Sequence, residues 1–127
     1  MISVLLAAIA LGPPVIHEPF TPPPCPRHPK TTVDLEGCGM REVLRGDRAI
    51  DASAAAIFRL LRTTVAKTSF VQSERAWLRY RRASCSAQAS EYVGGTAEPV
   101  AFIDCEASRN RRHLADLVEL RRALGPH

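Results

Sequence analysis

The chain has 127 residues, 46 % of them hydrophobic, with 17 Lys and Arg against 13 Asp and Glu, a formal net charge of +4 and a pI near 9.2. That is enough apolar material for one core and little beyond one layer of packing, which excludes a second independent domain. Four cysteines, an even number, fit two disulfides in an oxidising compartment, and small domains commonly gain stability from such links.

The N-terminal stretch "ISVLLAAIALG" precedes Pro13 and Pro14. Its length is that of a signal-peptide apolar core and is too short to span a bilayer as a helix. It lacks the basic residues that usually open a signal, so an uncleaved buried strand is the competing reading. Cys25 follows "TPPP" and lacks the small residues of a lipid-attachment site. Residues 12–30 hold eight of the ten prolines and predict an extended linker. Residues 1–24 are therefore read as a signal-like segment with a proline-rich linker, and residues 25–125 as the folded domain.

Three helical segments follow, and no strand pattern competes with them. In the first, Val43, Ile50, Ala54, Ile57, Phe58, Leu61 and Val65 recur at helical spacing. Gly37, Gly39 and Gly46 predict weak early turns, so that 31–44 is helical but less regular and the firm part runs over 45–65. Ser69 and Gln72 form a capping-box signal for the second helix, whose stripe is Phe70, Trp77, Leu78, Cys85 and Tyr92. Gly94 and Gly95 end it. Thr96 is the expected cap of the third helix, with Pro99 in its first turn. Ile103, Ala107, Leu114, Leu117, Val118 and Leu124 face inward along it. Short connections between three helices predict an all-α fold, a small antiparallel three-helix bundle.

Cys85 and Cys105 stand equally far from Gly95 and fall on stripes that face each other in such a hairpin, so they are expected to form a disulfide. Cys25 and Cys38 would then tie the proline-rich segment to the first helix. A zinc site from Cys25, His28 and Cys38 is the alternative; it lacks paired cysteine knuckles and a fourth ligand.

Charged residues interrupt the apolar stripes. Arg81 lies between Trp77 and Cys85 on the helical wheel, and Asp47, with Asp51 at the edge, lies in the first stripe. Buried charges must be paired or reach water. Arg81 is therefore expected to be partly buried against Asp47 or Asp51, the alternative being an arginine that extends to solvent. Arg75, Arg79 and Arg82 share the opposite face and should be exposed.

The stretch from Ser73 to Cys85, "SERAWLRYRRASC", resembles the helix A-Q-R-A-W-[IL]-x-[FY]-R-D-x-x-C of the LprI-like lysozyme inhibitor family. It matches at Trp77, Tyr80, Arg81 and Cys85. The following Gly94 and Gly95, Cys105, the arginine-rich "SRNRRHLADL", and the upstream Cys38 with "DRAID" extend the resemblance over about residues 25–122. Arg82, Glu74 and Asp51 depart from the family's usual Asp, Gln and Asn. The resemblance implies a bacterial secreted, periplasmic or cell-envelope protein that binds and inhibits a lysozyme. Animal lysozymes are strongly basic, and the like charge of this chain disfavours long-range attraction between the two.

No catalytic constellation accompanies these motifs. His17, His28, His113 and His127 show no spacing that points to a nucleophile or metal site, and no cofactor is expected. A second function class is a basic envelope-associated module that binds anionic polymers or nucleic acid through Arg75, Arg79, Arg82, Arg109, Arg111 and Arg112. Nucleic acid is the disfavoured partner, because these arginines alternate with acidic residues as on an ordinary solvated helix face. A structural domain without a discrete partner is the third.

Overall fold

A computed structural model describes residues 12–125. Residues 1–11 of the signal-like segment, and residues 126–127 with His127, lie outside the described residues. The described chain forms three helices, α1 (Thr32–Leu60), α2 (Thr64–Ala89) and α3 (Ala97–Leu124), with a single 3₁₀ turn at Ser90–Tyr92.

α1 starts at the expected place, and its first turns are firmer than its glycines predict. The Thr31 hydroxyl accepts from the Asp34 N–H at 3.1 Å, and the Asp34 carboxylate accepts from the N–H groups of Thr31 and Lys30 at 3.2 and 2.9 Å. The glycines serve close packing. A Cβ at Gly37 would lie 2.4 Å from the Pro24 carbonyl oxygen, and one at Gly39 would lie 2.5 Å from Ile103 Cγ2. The loss of helix propensity, about 1 kcal/mol per glycine, is thus exchanged for contact with the proline-rich segment and with α3.

The boundary between α1 and α2 differs from the sequence expectation. α1 ends at Leu60, and α2 begins after Thr63, whose hydroxyl accepts from the Ala66 N–H at 3.1 Å. Thr63 caps as well as Ser69 does, and nothing between them breaks a helix, so the earlier cap adds more than a turn. Ser69 consequently sits inside α2, and Val65 is exposed in its first turn. Lys67 closes the corner, with Nζ donating to the Phe58 carbonyl at 2.6 Å and lying over the Phe58 ring.

Thr96 also departs from expectation, because its side chain makes no capping hydrogen bond. Glu98 Oε2 reaches back to accept from the Gly94 N–H at 3.1 Å. Gly94 has φ +81°, a conformation that its missing Cβ permits. α2 stops at Ala89, so Tyr92 leaves the predicted apolar stripe and is exposed; Val118 is exposed too.

Partners along the helices give the topology. Cys85, Arg81 and Trp77 meet Cys105, Glu106 and His113 in turn, so α2 and α3 are antiparallel. α1 and α3 run in the same sense, since Gly39 faces Ile103 and Gly46 faces Asn110. The result is an up-down-up bundle. Disulfides join Cys25 to Cys38 and Cys85 to Cys105, with Cα separations of 4.6 and 5.4 Å.

Two apolar clusters make the core. One contains Ile50, Ala54, Ile57, Phe70 and Leu117, and the other Val43, Ile103 and Ala107. Residues 12–30 run without helix, as their prolines require, and lie along the bundle as a strap. Ile16 packs on the first cluster and Phe20 on the second, while Val15, His17 and Pro19 are exposed. This is the two-residue alternation of an extended chain, and it turns Glu18 inward between the two anchors.

Candidate functional site

The polar centre of the bundle is built around Arg81, which is only 2 % exposed. Its Nη1 donates to Asp47 Oδ1 and to Asn110 Oδ1, both at 2.7 Å, and Nη2 donates to Glu18 Oε1 at 2.8 Å. Nε lies 3.0 Å from Glu106 Oε2, off the hydrogen-bond direction. Asn110 Nδ2 donates to Asp47 Oδ1 at 3.0 Å and to the Val43 carbonyl at 3.2 Å. The side chains come from all three helices and from the strap. One guanidinium therefore orients every element of the fold, as its planar fork of donors allows.

Asp47, rather than Asp51, pairs with Arg81. Asp51 instead accepts from the Ile16 N–H at 3.0 Å, and burial raises its pKa above the usual carboxylate value. The two aspartates thus divide the work, one holding α2 and the other holding the strap.

Three carboxyl groups surround a single buried positive charge, and all three cannot ionise there without excess negative charge. The relief falls on Glu106, which has no solvent exposure. Burial first, then the neighbouring Glu18 carboxyl, pushes its pKa up to about 8, against the opposing pull of Arg81. Unfolding returns this carboxyl to its ordinary acidity, so the folded protein binds the extra proton between pH 4.5 and about 8. Stability is consequently fullest below the lower value and falls as pH rises towards the upper one, by up to about 1.4 kcal/mol per pH unit. Glu106→Gln, which fixes the neutral form, is expected to flatten that decline and to raise stability more at pH 8 than at pH 5. Urea midpoints at pH 5, 6.5 and 8 measure it; an unchanged slope in the variant would contradict the assignment.

A second polar contact lies further along the α2–α3 interface. Glu74 is buried, and both its oxygens lie 3.0 Å from His113 Nε2. The Trp77 ring stacks on His113 with centroids 3.8 Å apart and an angle of 9° between the planes. Trp77 also receives the Arg81 guanidinium at 5.4 Å, so it joins the two polar groups through its faces.

Arg75, Arg79 and Arg82 are exposed, as are Arg111 and Arg112, whereas Arg109 is half-buried with its guanidinium 5.5 Å from the Tyr80 ring centroid. Arg111 forms an ion pair with Glu42 on α1. The six arginines therefore divide between different neighbours. Cys25 and Cys38 are bonded to each other, so the sulfurs that a zinc site with His28 needs are already used. Among the described residues no group of three or more His, Cys, Asp or Glu side chains is placed to hold a metal.

Glu18, Glu106, Asn110, Glu74 and His113 are the interior polar residues that the sequence reading missed. Glu106 and Asn110 carried a usable signal, because they lie three and seven residues after Ile103 on the inward stripe of α3. Glu18 carried one too, as the middle member of the alternating Ile16, Glu18 and Phe20.

A family model described as lysozyme inhibitor LprI matches residues 25–117, a span that includes Arg81 and all four cysteines. No curated protein and no solved structure matches the chain.

Proposed function

Because the chain belongs to the LprI lysozyme inhibitor family, we propose that it is an exported binding protein that blocks a lysozyme by direct contact. The family match across both disulfides is the observation that carries this reading. The family is one of inhibitors and not of enzymes, which agrees with a polar centre whose carboxyl groups are closed to solvent and committed to a guanidinium. Two disulfides favour an oxidising compartment outside the cytosol, and the apolar N-terminal segment would supply the export signal. Among the described residues no helix is long and apolar enough to cross a membrane.

Inhibition is tested by the fall in turbidity of a bacterial cell suspension treated with a basic animal lysozyme. Oxidised protein at molar excess is expected to preserve the turbidity, whereas lysis at the uninhibited rate removes the inhibitor reading. The exposed trio Arg75, Arg79 and Arg82 on one face of α2 favours a second reading, an anionic-polymer binder. That reading requires affinity that drops steeply with salt; retention on an anionic column no greater than that of another protein of equal charge would count against it.

A further inference from the structure

The positive charge of this chain is unevenly distributed. Between Arg82 and Arg109 there is no Lys, Arg or His, while Glu91, Glu98, Asp104 and Glu106 all fall there. Of these only Glu106 is buried in the bundle. This stretch is the end of α2, the beginning of α3 and the turn that joins them, so the α2–α3 hairpin carries acidic but no basic side chains near its turn, on a basic molecule.

The apex of that tip exposes apolar groups. Tyr92 is 52 % exposed and Val93 76 %, and they precede two glycines with no side chain. A Cβ at Gly94 would meet nothing within 4 Å, so the turn projects away from the rest of the fold. It is nevertheless braced. Val93 N–H bonds to the Ser90 carbonyl at 3.3 Å, Gly95 N–H to the Tyr92 carbonyl at 3.0 Å, and Gly94 N–H to Glu98. The Cys85–Cys105 disulfide clamps the two helices beneath it. A narrow projection already held in one shape loses little conformational entropy when it binds.

We infer that the Tyr92–Gly95 turn is the element that enters the substrate cleft of a basic lysozyme, with Glu91 facing the target's positive charge. The inference rests on the inhibitor reading above. Tyr92 supplies an aromatic anchor, Val93 an apolar contact, and the glycines allow the backbone to approach cleft walls closely. The acidic side chains of the hairpin lessen the difficulty posed by the like net charges of inhibitor and target, since steering depends on the charges near the contact.

Three variants test the assignment: Tyr92→Ala with Val93→Ser, Glu91→Lys, and Val65→Ser as a control in an exposed apolar residue at the opposite end of α2. Lysozyme inhibition is measured by turbidity, association rate by stopped flow, and folding by helical circular dichroism. The double variant is expected to keep its helical signal and to lose at least tenfold in inhibition. Glu91→Lys should slow association, most strongly at low salt, and Val65→Ser should behave as wild type. Wild-type inhibition with an equally inhibitory, folded double variant would overturn the tip assignment while leaving the inhibitor reading intact. Absence of inhibition by the wild type would overturn both.

Discussion

Replacing Arg81 with methionine is expected to destabilise the protein by about 3–5 kcal/mol, the effect of leaving buried charges without their partner. The substitution keeps a long apolar stem but removes the positive charge facing Asp47, Glu18 and Glu106. It also removes the donor to Asn110 Oδ1 and one of the two donors to Asp47 Oδ1. A loss of that size is a large fraction of the 5–15 kcal/mol that holds an ordinary domain together. Urea unfolding measures it directly. The triple variant Arg81→Met, Asp47→Asn, Glu18→Gln should recover part of the loss, because it also removes the two carboxylates that pair with the guanidinium. Equal destabilisation of the single and triple variants would mean that packing around the guanidinium matters more than its charge. The strap should respond alongside, since Glu18 holds it to the bundle through Arg81. Faster amide exchange at Ile16, whose N–H bonds to Asp51, would report its release.

Removal of the α2–α3 staple has the next largest effect. Cys85→Ser combined with Cys105→Ser opens a loop with a sequence separation of 20, and the freed denatured chain lowers stability by roughly 3 kcal/mol. Both sulfurs are buried, so each introduced hydroxyl must also find a partner or bear its desolvation. The variant is expected to unfold at lower urea concentration than wild type, and its Tyr92–Gly95 turn should become more mobile. Coincident unfolding curves would show that the bundle packs the hairpin as tightly without the bond. Mutation of the Cys25–Cys38 pair should act differently, loosening the strap while leaving the hairpin closed.

The parts of this fold that follow a single periodicity were legible before any coordinates. Cys85 and Cys105 sit symmetrically about Gly95, and the helical wheel alone places Arg81 among apolar neighbours. The choice between Asp47 and Asp51 was not legible, because it depends on a third element: the strap supplies the Ile16 N–H that occupies Asp51. The α1–α2 corner failed for another reason, namely that Thr63 and Ser69 are both competent caps and the capping-box signal of Ser69 with Gln72 favoured the later one. Glycines misled as well, since Gly37 and Gly39 read as helix weakeners but serve as contact points. The proline-rich segment was read for the helix it cannot form, which hid the alternation that buries Glu18.

The charge of the molecule shows the same difference between a total and a pattern. A net charge of +4 argues against a basic target, while the stretch between Arg82 and Arg109 holds acidic residues and no basic one. Titration of the oxidised protein into a basic animal lysozyme by calorimetry tests the central claim most directly. A saturable one-to-one interaction that weakens with added salt is the predicted result, and no saturable heat at low or high salt would contradict it.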